Sequence, residues 1–216
     1  MKLSLLIAGL VAASALQAAP VYNNTTTDTG DTVFYSTGPY TEIGDRIQLG
    51  GTERNATSAA VQFFNNGASN GSFDATLNFY SFVGGSPGVG GLLNSYSVLN
   101  QAISSGSTLN VNWLLAGLVL PNNLIFTVKI DRQAAGLDLG LTVFDPPTVG
   151  SSSNQFFIVK GGSGFAQASL GNGGDNIYFR LDASSGTSVP EPGTAGLVFL
   201  AMLPLLTFRG RRAVSR

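Results

Sequence analysis

Through the middle of the chain, apolar side chains recur at every second position. Leu124, Phe126, Val128 and Ile130 alternate with Ile125, Thr127 and Lys129, and Ile177, Phe179 and Leu181 alternate with Tyr178, Arg180 and Asp182. Phe73, Ala75, Leu77 and Phe79 alternate with Asp74, Thr76 and Asn78, and Leu109, Val111, Trp113 and Leu115 with Asn110, Asn112 and Leu114. A strand turns successive side chains to opposite faces, so this period predicts strands with one face buried. Six further strands are expected over residues 33–36, 46–49, 59–64, 92–99, 139–144 and 155–159. Between them lie turn-forming clusters such as Asn65-Asn66-Gly67, Ser104-Ser105-Gly106, Pro121-Asn122-Asn123 and Asp145-Pro146-Pro147, which supply positive or fixed φ. No stretch between 19 and 188 keeps a helical period beyond two turns, and no strict internal repeat is present. Ten short strands with turn-rich separators predict an all-β fold, an antiparallel, jelly-roll-like β-sandwich, over residues 33–183. The Asn/Thr/Asp-rich stretch 19–32 reads as a flexible lead-in, and 184–188 as a short linker.

The two ends break this pattern. Residues 1–18 carry Lys2, an apolar run from Leu3 to Leu16, and small residues that suit cleavage after Ala15 or Ala18. That run is short for a membrane span, which makes a removed signal peptide the expected reading and an uncleaved anchor the alternative. At the other end, Val189, Pro190, Glu191 and Pro192 precede an uncharged, mostly apolar run from Gly193 to Phe208, closed by Arg209, Arg211, Arg212 and Arg216. Sixteen helical residues reach about 24 Å, less than the ~30 Å hydrocarbon core, and Pro204 weakens the helix further. Arginines remain on the cytoplasmic side, so both ends place the body of the chain across the membrane. A plain C-terminal anchor accounts for the apolar run and its arginines but leaves the Pro-Glu-Pro unexplained. A GPI signal would not end in an arginine cluster. A buried amphipathic helix fails because Gly193 to Phe208 has no polar face.

The order Pro-Glu-Pro, short apolar span, arginine stop resembles the PEP-CTERM sorting domain of Gram-negative bacteria over residues 189–216, as VPEPGTAGLVFLAMLPLLTFRGRR. The resemblance implies one C-terminal transmembrane helix and recognition by exosortase at Val189, Pro190, Glu191 and Pro192. It also implies a stop-transfer role for Arg209, Arg211 and Arg212. It implies an inner-membrane intermediate with the sandwich in the periplasm, followed by release to the cell surface or beyond. Family members are associated with exopolysaccharide and biofilm. The segment FDATLNFYSFVGGSPGVGGLLNSYSV, with the later LIFTVKI, loosely resembles sandwich domains of exported proteins with such tails, which implies fold alone.

Composition narrows the chemistry. Removing the two end segments leaves 170 residues with six basic and eleven acidic side chains, a formal net charge of −5. A mildly acidic body without a basic stripe argues against nucleic acid as a partner. The chain has no cysteine and no histidine, which excludes disulfides, thiol nucleophiles, imidazole bases and thiolate or imidazole metal sites. Asp131, Asp138, Asp145, Asp175 and Asp182 fall at strand ends or turns, where Asp serves local backbone needs, and no spacing marks a catalytic pair. Asp28 with Asp31, and Asp175 with Asn176 after a Gly-rich loop, are the oxygen-rich segments that a structural Ca²⁺ would use, although neither has EF-hand spacing. Gly161-Gly162-Ser163-Gly164 lacks the Lys-Ser/Thr of a phosphate loop and reads as a turn. Adjacent aromatics Phe63-Phe64, Phe79-Tyr80 with Phe82, and Phe156-Phe157 either form core on both sides of a sheet or offer stacking rings for sugars. The expectation is a non-enzymatic, exported surface or matrix protein without a cofactor. The alternatives are a carbohydrate-binding module and a carboxylate-dependent hydrolase.

Overall fold

The computed structural model describes residues 18–185 apart from 39, 86–87, 161–163 and 172–173. Over these residues the fold is all-β, and twelve strands form two antiparallel sheets. The first sheet takes β1 (Ala19–Asn24), β2 (Asp28–Phe34), β4 (Asn55–Asn65), β7 (Thr108–Leu114), β9 (Leu139–Phe144) and β12 (Phe179–Ser184). The second takes β3 (Tyr40–Gln48), β5 (Gly71–Phe82), β6 (Val89–Ile103), β8 (Asn123–Gln133), β10 (Ser151–Lys160) and β11 (Phe165–Ala168), in the order β11-β10-β3-β8-β5-β6.

In the first sheet β4 is central. Its residues 58–64 pair with β7 along one edge. Along the other edge its first half pairs with β12 and its last residues, Phe63 to Asn65, pair with β9. Beyond these lie β1 on β12 and β2 on β9. Nine of the ten expected strands are present, most of them longer than the apolar pattern alone marks. Of the expected strand 33–36 only Val33 and Phe34 are extended, at the end of β2, and Tyr35–Thr37 form a short 3-10 helix.

The expected flexible lead-in 19–32 is corrected: these residues form β1 and most of β2. Val21, Tyr22 and Asn24 are fully buried there. The Asn24 side chain donates to the carbonyls of Phe144, Asn176 and Ile177, so a polar composition conceals an inward-facing strand. A further strand outside the expected set is β11, whose polar–apolar sequence is too short to show a period. β12 takes in Ser184, the first residue of the expected linker. No helix among the described residues is long and apolar enough to cross a membrane. The expected signal peptide (residues 1–17 of it), the Val189–Pro192 motif, the apolar span and the arginines Arg209, Arg211 and Arg212 lie outside the described residues.

The core lies between the sheets. From β12, Phe179 stacks on Phe126 of β8 with centroids 3.7 Å apart and planes at 13°. The same ring meets Phe79 of β5 at 6.4 Å and Tyr22 of β1 at 6.0 Å, so one side chain touches three aromatics on both sheets. Phe63 of β4 and Phe73 of β5 make a second bridge at 4.8 Å. With no cysteine, this burial and the strand ladders hold the sheets together. Replacing Phe179 by Ala should cost about 3–5 kcal/mol, since the ring is fully buried and its partners come from rigid strands. Thermal melts of the variant should fall by on the order of 10 °C. A shift of a degree or two would show that the inter-sheet contact does not depend on this ring.

Candidate functional site

The outward face of the second sheet carries most of the polar chemistry. Strand register lays its side chains in rows: Glu42, Lys129, Thr76 and Ser97 form one, and Phe157, Gly44, Thr127, Asn78 and Ser95 form the next. Gly44 is needed where it stands, because a Cβ there would overlap the carbonyl oxygen of Phe126. Its missing side chain leaves room for Glu42 to lean into the second row. Glu42 Oε2 accepts hydrogen bonds from Thr127 Oγ1 at 2.5 Å, Tyr80 OH at 3.2 Å and Asn78 Nδ2 at 3.3 Å. Asn78 Oδ1 accepts in turn from Ser95 Oγ at 2.6 Å.

This face is concave. Phe165 on β11 and Tyr80 on β5 are four strand steps apart, about 19 Å across a flat sheet. Their rings are 5.0 Å apart and edge-on, so the sheet curls until its two flanks meet. The floor of the trough holds Ile125, Thr127 and Phe157, all fully buried although they face away from the main core. Burial, with the nearby Glu42 charge, pushes the Tyr80 hydroxyl up to about 12, so it stays a donor at neutral pH. Further along the face, Asp131 accepts from Thr76 Oγ1 and Lys129 Nζ. Burial pushes its carboxyl up, yet these bonds hold it below the usual range. Around the rim, Tyr35, Tyr40, Lys129, Asp131, Arg132 and Asp138 line a depression of about 370 Å³.

A second polar group lies inside the sandwich. Asp45 faces the core between Ile43 and Ile47, and its Oδ1 accepts the Arg46 main-chain N–H at 2.6 Å. The nearby main-chain N–H of Ile177 also favours the charged carboxylate. Burial drives its pKa well above the carboxylate range, and Asp145 adds to this. Nearby, Asn176 Nδ2 donates to Asp145 at 2.6 Å, and Asp175 accepts from the Ser169 hydroxyl and, at 2.9 Å, from the Leu170 N–H. One side-chain oxygen on each of Asn24, Asp45, Asp175 and Asn176 is buried without a hydrogen-bond partner.

The residues singled out from sequence are distributed as follows. Asp131 and Asp138 share the rim depression, Asp138 accepting from Ser36 at 2.6 Å. Asp145 and Asp175 belong to the interior group, and Asp182 pairs with Arg180 at 3.0 Å. Asp28 caps its own turn through the Gly30 N–H at 2.8 Å. Among the described residues no three acidic side chains gather as a metal set. Of the aromatic pairs, Phe63, Phe79 and Phe156 are core, Phe157 is buried in the trough, and Phe64, Tyr80 and Phe82 are half-buried. Gly161 to Ser163 lie outside the described residues. Glu42 and Asp45 were not among the sequence candidates. Asp45 had a readable signal, an acid at the inward position of Ile43-x-Asp45-x-Ile47, whereas Glu42 becomes notable only once the register is known.

No protein-family model matches the chain, and no curated protein or solved structure compared with it matches either.

A carboxyl that holds its proton more tightly when folded stabilises most below its unfolded pKa, about 3.9, and the benefit drains away as pH rises toward the folded value. Asp45 therefore costs stability at neutral pH, about 1.4 kcal/mol for each pH unit spent between the two values. Asp45→Asn keeps the acceptor for the Arg46 main-chain N–H and removes the titration. Melts between pH 4 and 8 should show a higher midpoint for the variant at pH 7 and a flatter slope. Parallel curves for the two proteins would sink this account.

Proposed function

We propose that the chain is an exported surface or matrix protein of a Gram-negative bacterium, delivered by its N-terminal segment and sorted through its C-terminal tail by an exosortase. The carrying observation is where the folded unit stops. Every strand and core side chain among the described residues lies between Ala19 and Ser184, and the compact unit closes at Ser185. The Val189-Pro190-Glu191-Pro192 motif therefore comes after the last described strand in the chain, which suits a segment to be read and cut. The role proposed for the unit is non-enzymatic: a soluble body presented outside the cell. The tail reading predicts that Glu191→Ala leaves a longer, membrane-retained species, visible by mass spectrometry of cell fractions. Processing identical to the unaltered protein would count against recognition of the motif.

A second reading is favoured by the trough: the body binds a hydroxyl-rich ligand, such as an exopolysaccharide. The strands β2 to β9 pass back and forth between the sheets, a winding that supports a jelly-roll description, and lectins use that architecture. Glu42, Tyr80, Asn78 and Ser95 offer acceptors and donors beside the Phe165 ring, the mixture that sugar hydroxyls and their apolar faces demand. On a glycan array the 19–185 unit should retain sugar, and Glu42→Gln should weaken retention about tenfold, a loss of about 1.4 kcal/mol. No retention at millimolar sugar would remove this reading and leave the sorting proposal standing.

A further inference from the structure

The charges of this protein are unevenly placed. No Asp, Glu, Lys or Arg occurs between residues 75 and 128, a run of 54 residues, so all seventeen charged side chains of the 18–185 unit lie elsewhere. That run contains β6 and β7, which end the second and first sheets on one side of the sandwich. Tyr96 OH of β6 donates to the carbonyl of Ala116, just beyond β7, at 2.7 Å.

β6 is an edge strand without the usual protection. It spans fifteen residues, about 50 Å, with no proline and no charge. Among the described residues no strand pairs with its outer side. Apart from groups met by side chains, such as the Ser95 N–H donating to Asn94 Oδ1 and the Leu99 carbonyl accepting from Gln101 Nε2, its outward main-chain donors and acceptors are open to another strand. Leu92 and Leu99 are exposed at 55% and 65%. Inward-facing Tyr96 and Val98 are only half-buried, so the core is thinly covered along this edge.

The identity of the occupant follows from the sequence of the strand. Pairing of β6 with β5 is unbroken from Asn94 to Val98 and shifts on either side, leaving one regular segment. Within Leu93-Asn94-Ser95-Tyr96-Ser97-Val98-Leu99 the order is nearly the same read in either direction about Tyr96. An antiparallel copy centred on Tyr96 would set Leu93 against Leu99 and Ser95 against Ser97. All four side chains point to the exposed face. Apolar meets apolar, hydroxyl meets hydroxyl, and the contact is its own complement, as a two-fold interface requires. Two bodies of net charge −5 repel through their charged flanks and least of all here.

We propose that two copies of this chain pair antiparallel along β6, on a two-fold axis at Tyr96, making one sheet continuous across both. Sedimentation of the 19–185 unit, which contains its whole described core, should show a monomer–dimer equilibrium between about 1 and 100 µM. Hydrogen exchange on the unaltered protein should slow, as concentration rises, at those main-chain amides between Asn94 and Val98 that face away from β5. The doubly substituted Ser95→Lys/Ser97→Lys protein places lysines opposite lysines and should weaken the dimer at least tenfold, and Ser95→Glu/Ser97→Glu should do the same. An equal mixture of the two should recover a heterodimer. A protein that stays monomeric at 100 µM, with exchange independent of concentration, overturns the proposal. A dimer insensitive to both double substitutions overturns it as well, and a mixture that remains monomeric overturns the register.

Discussion

The stacking of Phe179 on Phe126 is the contact on which the rest of the structure rests, because it is where the two sheets are held at a fixed separation. A sandwich has no backbone hydrogen bonds between its layers, so interdigitated side chains alone set their spacing and angle. Phe179 sits on β12, beside the central strand β4, while Phe126 sits on β8, between β3 and β5. Tyr22 and Phe79 close around the same ring, which ties the edge strand β1 into the core. The chain has no disulfide to share the task, and nearly full burial of these rings is its replacement.

Fixing the inner face leaves the outer face of the second sheet free to curl. Gly44 lets β3 approach β8 closely, and the lost side chain becomes the space into which Glu42 leans. The same curl brings Phe165 against Tyr80 and buries Ile125, Thr127 and Phe157 on what periodicity alone marks as the solvent side. The trough is thus a consequence of packing before it is a site. Its polar groups are already engaged with one another, so a ligand must exchange hydrogen bonds with Glu42, Asn78 and Tyr80 and compete with contacts that exist without it.

Much of the architecture was legible because the strands alternate cleanly. Phe73, Ala75, Leu77 and Phe79 face inward as the period requires, and the 139–144 strand has the bounds that its apolar run marks. β1 was concealed because three of its six residues are polar or proline, and its inward Asn24 is satisfied by carbonyls from distant strands. β11 has four residues, too few for a period. Buried Phe157 and Ile125 could not be assigned a side from sequence, since an apolar residue on the outer face is buried only if the sheet curls. Of the candidate chemistry, Asp138 lies in a loop as expected, whereas Asp131 and Asp182 fall within β8 and β12, and Asp145 and Asp175 join the buried polar group, which their spacing in the chain does not reveal. Glu42 was not legible, because three donors converge on it from β5 and β8, neither of which is near it in the chain.

The division of charge joins these parts. A body without disulfides needs a dense core and also enough charge to remain dispersed, and here the second need is met away from β6 and β7. Concentrating seventeen charges on the remaining strands and loops leaves one flank with an uncharged strand edge and exposed leucines. Selection for solubility alone would not leave such an edge, since a single lysine or proline on β6 would block it at little cost to a strand already half in solvent. The unblocked edge is therefore better explained as a surface in use than as an oversight. A weak, self-complementary edge of this kind is occupied where local density is high, which is the setting that the proposed presentation at a surface would supply.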